Sequence, residues 1–214
     1  MRYLFLGCAA LVFMGCSPQL QGTDEVSSSP TQSETVQTSD KAIFNYQIVK
    51  IDQKIKSRHH IIATIFSEDA KDFESRGKVI TQAAQELQQS HNADVVTVFL
   101  SLSEKLAKIS GGTLGRATYA PDGKGISGRE DLKWEVKVAE GEGFTEKEIL
   151  IMESFQYKFM AVDENEYLQN REMIDTQLSE EVAVQFNITP DELEKVFEKE
   201  INLIISLKTY DVRN

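Results

Sequence analysis

The feature that most limits the possible folds of this chain is the nearly continuous apolar segment 93–100. It reads Ala-Asp-Val-Val-Thr-Val-Phe-Leu, in which only Asp94 and Thr97 are polar. A run of this kind is typical of a strand inside a sheet, and it is too apolar for a sheet edge. We therefore expect a central buried strand here, with further strands and a helix built around it.

Residues before this segment predict a hairpin and a helix. Segments 43–49 and 61–66 are β-branched and aromatic, which favours two strands joined by the polar connection 52–58. Ser67, followed by two acidic residues, predicts a helix N-cap. Apolar or small residues then recur at helical spacing until the helix ends near His91-Asn92, at Phe73, Gly77, Ile80, Ala84 and Leu87.

Residues after the central segment predict two more strands. Residues 113–120 follow a Gly-Gly pair and precede Pro121-Asp122-Gly123, a combination that favours a tight turn. Segment 132–138 alternates between apolar and charged residues like a half-exposed strand.

This region resembles an uncharacterised domain of bacterial exported proteins. The resemblance covers about residues 41–125 and depends on Ala93-Asp94-Val95-Val96, Phe99 and the run Gly115–Lys124. It implies a strand–helix–strand core and no known activity. It also implies that residues 121–124 form a required turn and not an active site.

The chain from residue 145 onward is predicted to be helical. Thr145 with Glu148, Asp163 with Glu166, and Thr189-Pro190 with Glu192 have the spacing of helix starts. Apolar residues at helical spacing, from Leu193 to Leu207, make the last helix amphipathic. The predicted fold class is α+β: a small, mostly antiparallel sheet of about four to five strands with one packing helix, then a C-terminal region of three to four helices. The predicted boundaries are an α+β domain at 41–140 and a helical annex at 145–214.

The N-terminus resembles that of bacterial lipoproteins. Residues 1–15 contain one cation, Arg2, an apolar run and a final glycine, and they precede Cys16 as Phe13-Met14-Gly15-Cys16, a lipobox. The apolar run of about twelve residues is shorter than the roughly twenty that a membrane span needs. The resemblance implies that 1–15 is a signal peptide and that Cys16 carries the lipid that anchors the chain. Cys8 is an alternative site, with a much shorter apolar core before it.

Residues 16–40 are predicted to form a disordered tether after the lipidated cysteine. Most of them are Ser, Thr, Gln, Pro or Gly, a composition that buries too little apolar surface to fold. As a flexible coil, the tether reaches about 27 Å. Because Ser17 and not an aspartate follows Cys16, the resemblance favours the periplasmic face of the outer membrane in a cell with two membranes.

The charge of the chain restricts its partners. A formal net charge of −11 argues against nucleic acid as a partner of the folded part and favours a cationic one. Ala183, Asn187, Ile188 and Leu193 have the spacing of a helix-turn-helix, but the following helix is acidic. We therefore expect that spacing to indicate helix packing alone.

Catalytic signals are weak. Cys8 and Cys16 are the two cysteines, so segment 17–214 has no thiol chemistry, and we expect no cofactor and no metal site. Adjacent histidines on a strand face opposite sides and do not readily bind one metal. Our candidates for a binding site are Arg58, His59, His60 and Arg116, and Arg58 and Arg116 would meet if their strands lie close together.

These observations predict a membrane-anchored lipoprotein that works as a non-catalytic binding module in the cell envelope, with an envelope protein as a possible partner. Two alternatives stay open. One is an inhibitor or immunity-type protein that covers a basic partner, and the other is an envelope hydrolase that uses carboxylates.

Overall fold

The central strand of this fold is β3 (Val95–Ser101), as the apolar segment predicts. In the computed structural model, which describes residues 43–109 and 114–212, the strands follow chain order across one six-stranded sheet. Strands β2 and β3 are parallel, and every other neighbouring pair is antiparallel. The remaining strands are β1 (Gln47–Ile55), β2 (His59–Phe66), β4 (Gly115–Tyr119), β5 (Trp134–Ala139) and β6 (Leu207–Thr209). The α+β class is confirmed, with six strands instead of four or five.

Helix α1 (Phe73–His91) connects the parallel strands and packs on one face of the sheet across β3, β4 and β5. Its buried residues Val79, Ile80, Ala83 and Ala84 belong to the main core cluster. The helix ends at Asn92, which adopts the left-handed conformation. Its N-cap is Asp72, so the prediction of Ser67 was wrong. The Ser67 hydroxyl instead accepts from the Asp69 amide and donates to the Asn45 carbonyl.

Three further helices follow β5: α3 (Glu146–Met160), α4 (Glu164–Phe186) and α5 (Pro190–Ile205). Short α2 (Glu104–Ile109) precedes β4 and packs against α3. The predicted starts are confirmed: Thr145 and Thr189 form capping boxes, and Asp163 is an N-cap. Left-handed Asn187, with φ 49°, joins α4 to α5, so the helix-turn-helix spacing does indicate helix packing. Residues of the sheet, α1 and these helices share one core cluster. The predicted boundary between 140 and 145 stays a prediction.

Two strands differ from their predictions. Strand β1 runs from Gln47 to Ile55, through much of the connection predicted to be polar. It lies at the sheet edge, where polar side chains extend into solvent and apolar content is a poor indicator of a strand. Leu207, predicted to continue the last helix, instead begins β6, which pairs with β5.

The predicted signal peptide 1–15, the predicted tether 16–40 with Cys16, and residues 110–113 lie outside the described residues. Within the described ranges, the helices are too short or too polar to span a bilayer.

Candidate functional site

The sheet has two faces of different chemistry, and the face opposite α1 is polar. On the α1 side, Ile61 is level with Val96, and Val96 is level with Tyr119. Neighbouring residues along each strand point the other way. We call this second surface the polar face. Its polar and charged members include Lys50, Asp52, Lys54, His60, Thr64, Thr97, Arg116, Thr118, Glu135 and Lys137, and its apolar members include Ile62, Val95 and Phe99.

A row of hydrogen-bonding side chains joins three strands across the polar face. His60 Nε2 lies 2.9 Å from Thr97 Oγ1, which lies 3.4 Å from Thr118 Oγ1. Both threonines are buried. Burial of the imidazole, together with the positive charge of Lys54, lowers the pKa of His60 below its ordinary value of 6.5. The imidazole is therefore neutral at neutral pH, with one nitrogen that donates and one that accepts.

Charged residues lie beside this row. Arg116 Nη2 is 3.1 Å and Lys137 Nζ is 3.3 Å from Glu135 Oε1. On β1, Lys50 Nζ is 3.6 Å from Asp52 Oδ2. The polar face thus holds four cations against two carboxylates, namely Lys50, Lys54, Arg116 and Lys137 against Asp52 and Glu135. It is locally cationic on a chain whose net charge is −11.

Arg58 is held by hydrogen bonds at one end of the sheet. Its Nη1 and Nη2 donate to the Asp122 carboxylate at 3.0 and 2.9 Å, and Nη2 also donates to the Asp94 carbonyl at 3.0 Å. These hydrogen bonds lower the pKa of Asp122 to about 2. Close packing limits the site further, because a Cβ on Gly128 would lie 3.3 Å from Arg58 Cδ. The Arg58 side chain therefore links the start of β2 to the turn that follows β4.

The predicted turn at residues 121–124 is confirmed. Gly123 has φ +73°, and its amide donates to the Ala120 carbonyl at 3.0 Å. The Lys124 amide donates to Asp122 Oδ1 at 3.1 Å. Asp122 therefore accepts hydrogen bonds both from this turn and from Arg58.

The four predicted site residues do not form one cluster. The condition under which Arg58 and Arg116 could meet does not hold, because β3 lies between β2 and β4 and each arginine pairs with a different carboxylate. His59 pairs with Ile55 and faces the α1 side, where its buried Nε2 has no hydrogen-bond partner among the described residues. His60 and Arg116 share the polar face. Four residues of rise and two strand spacings place them about 16 Å apart.

Within residues 43–109 and 114–212, no three His, Cys, Asp or Glu side chains lie close enough together to hold a metal ion. The expectation that the chain uses no cofactor stays a prediction.

Sequence reasoning missed Arg76, Thr97 and Thr118. Arg76 is 1% exposed, and it donates to the carbonyls of Ala139 and Gly141 at 2.7 and 2.9 Å. It holds α1 to the segment after β5 and has a structural role. The one sequence signal that could have indicated Thr97 is a polar residue within an apolar run. Its proximity to Thr118 depends on strand register, which that signal does not give.

The comparisons with known proteins agree with the fold. A family model described as "Domain of unknown function (DUF4875)" matches residues 41–196, beyond the 41–125 that the resemblance predicts. A crystal structure of a DUF487 family protein from Desulfovibrio piger has a TM-score of 0.54 to this chain at 18% identity. The match covers 79% of this chain and 95% of that chain. At this identity the likeness shows the fold alone. No curated protein matches the sequence.

Proposed function

Since this chain belongs to the family described as "Domain of unknown function (DUF4875)", we propose its function from its own residues. It is a lipid-anchored protein of the bacterial cell envelope, attached through Cys16. It binds a partner through the polar face and does so without catalysis. The observation that carries this proposal is a cationic, hydroxyl-bearing sheet face on an otherwise acidic chain.

The path of the chain supports this arrangement. The Phe44 amide donates to Gln82 Oε1 at 3.0 Å, and Gln82 Nε2 donates to the Phe44 carbonyl at 3.1 Å. Because Gln82 belongs to α1, the chain enters the domain on the α1 side. The first described residues therefore lie on the side of the sheet opposite the polar face.

The chemistry of the polar face favours an anionic partner. Its cation excess attracts negative charge, and exposed charges of this kind act mainly on association rate and salt dependence. Half-buried Ile62 and Phe99 add apolar contact area. The neutral His60 imidazole can exchange its bond with Thr97 for one to a ligand.

Matched charge reversals test the binding site. Arg116→Glu with Lys137→Glu inverts the polar face, whereas Arg129→Glu with Lys195→Glu makes the same change in net charge at positions elsewhere. The native chain and the control should bind the same proteins from envelope extract, and the polar-face variant should not bind them. These proteins should dissociate from the native chain as the salt concentration rises. Equal binding by all three proteins would exclude the polar face. Stronger binding by the polar-face variant would instead favour the alternative in which the acidic protein covers a basic partner.

Labelled palmitate tests the anchor. The native chain should incorporate the label and fractionate with membranes, while Cys16→Ser should lose both properties. Cys8→Ser should retain the lipid. A Cys16→Ser chain that still carries label would disprove attachment at Cys16.

A further inference from the structure

Strand β1 is a long and exposed edge of the sheet. It lies first in the strand order, and among the described residues its outer edge pairs with no other strand. Eight of its nine residues are exposed. Ile51 and Ile55 are apolar yet 40% and 78% exposed. An exposed backbone edge that carries apolar side chains favours pairing with another strand.

The regular part of this edge is residues 51–55. The register between β1 and β2 shifts between Ile48 and Lys50, which marks a bulge. A bulge bends a strand and disrupts an added ladder. Beyond it, pairing with β2 is regular from Lys50 to Ile55. A new strand would therefore pair best over this second half of β1.

The sequence of that segment is complementary to its own reverse. It reads Ile51-Asp52-Gln53-Lys54-Ile55. When two copies pair antiparallel about Gln53, each Ile51 lies opposite the Ile55 of the other copy, and each Asp52 lies opposite a Lys54. Apolar pairs and opposite charges directly across an antiparallel ladder are stabilising. We propose that two copies of this chain associate through β1 in this register, with Gln53 on the two-fold axis.

Other centres of symmetry give poorer pairs. Centring on Asp52 sets that carboxylate against its own copy and Lys50 against Lys54. Centring on Ile51 brings the bulge residues into the ladder. With Gln53 at the centre, the like-charge pair is Lys50 with Lys56, which lies in the turn after β1. The charges and the bulge therefore select one register.

A second copy accounts for this pattern because a two-fold interface requires a surface complementary to itself. The two-fold axis would run perpendicular to the sheet, so side chains on the α1 side of one copy would lie on the same side of the joined sheet as those on the α1 side of the other copy. Both isoleucine pairs would lie on the α1 side, and both Asp52–Lys54 pairs would lie on the polar face. The two polar faces would then form one continuous surface. A five-residue contact is small, so we expect weak association, with a Kd in the micromolar range or above.

Charge exchange tests the register. Asp52→Lys places two lysines opposite each other, and Lys54→Glu does the same with two carboxylates. Each single variant should weaken self-association by about tenfold or more in sedimentation equilibrium, since two cross-strand pairs are reversed. The double variant restores opposite charges and should regain the native Kd. These residues are exposed, so circular dichroism should show native folding in all three.

Oxidation of a single thiol tests the axis. Gln53→Cys, in a chain that also carries Cys8→Ser and Cys16→Ser, brings two thiols together only in this register. It should form a disulfide-linked dimer faster than Ser127→Cys, a control at an exposed loop position. A chain that stays monomeric at millimolar concentration would overturn the proposal. So would a dimer that is insensitive to the charge variants, equal oxidation of the two thiols, or occupation of the edge by a different protein.

Discussion

Replacing Arg76 by methionine should destabilise the fold more than any exposed substitution, because its guanidinium serves four backbone carbonyls. It donates to Ala139 and Gly141 at 2.7 and 2.9 Å, and to Lys71 and Ala70 at 3.0 and 3.4 Å. Methionine preserves much of the buried stem but supplies no donor, so buried carbonyls lose their partner. Burial lowers the pKa of Arg76, which shows that the native charge carries a desolvation cost.

The expected loss follows from these contacts. A hydrogen bond with a charged donor contributes about 1.5–3 kcal/mol, and an orphaned buried carbonyl costs about 1–3 kcal/mol. Relief of the desolvation cost offsets part of this sum. We therefore expect Arg76→Met to lower the free energy of unfolding by about 3 kcal/mol. Arg76→Lys should lose less, since its ammonium keeps the charge and some of the bonds.

Urea unfolding, followed through the fluorescence of Trp134, measures this change. Trp134 is the one tryptophan of the chain, and its ring stacks on Tyr119 at 4.1 Å between centroids. Arg129→Met is the matched control at an exposed position, where we expect a change within about 0.5 kcal/mol. If Arg76→Met were as stable as this control, the structural role of Arg76 would be refuted.

Three further predictions concern packing and pH. In Gly77→Ala, the new Cβ would overlap ring carbons of Tyr210, so overpacking should cost about 1–3 kcal/mol despite the better helix propensity of alanine. Thermal unfolding should show this cost, and in a chain that already carries Tyr210→Ala the Gly77→Ala substitution should add no further cost. Arg58 lowers the pKa of Asp122 from 3.8 to about 2. The contribution of Asp122 to the free energy of unfolding should therefore be present above pH 4 and lost as pH falls towards 2. Urea unfolding at several pH values in that window should show that the free energy of unfolding of Asp122→Asn depends less on pH than that of the native chain. An unchanged pH dependence would contradict the pairing of Asp122 with Arg58. The lowered pKa of His60 predicts a contribution to stability that is full above pH 6.5 and falls below it, because the unfolded chain then binds a proton that folded His60 does not. His60→Gln should flatten this acid-side decline, and a decline of native size in that variant would exclude His60 as its source.

Local chemistry explains why several elements could be predicted. Capping boxes at Thr145 and Thr189 involve residues three positions apart, and the turn at Gly123 depends on a positive φ. Segment 93–100 is apolar enough to require burial wherever it lies. Such features depend on neighbours in the chain, so they are visible before any tertiary contact is known.

Distant partners explain what was missed. Arg76 bonds to carbonyls more than sixty residues away, and β6 is a strand because the edge of β5 offers three residues of pairing. Strand β1 continues through Asp52 and Lys54 because β2 supplies its hydrogen bonds. Propensity describes a residue in its own segment, and these outcomes depend on another segment.

The sequence by itself determined the α+β class, the buried central strand, the starts of α3, α4 and α5 and an acidic chain, because periodicity, capping and net charge are properties of neighbouring residues or of composition. It also supplied the prediction of lipid attachment at Cys16. Only the tertiary structure decided that Arg58 is bound to Asp122 while His60 and Arg116 share one face. The tertiary structure also decides that cations outnumber carboxylates on that face and that β1 lies at an exposed edge of the sheet. The physical reason is strand register, which sets the side chains that lie beside one another across a sheet and cannot be obtained from one strand alone.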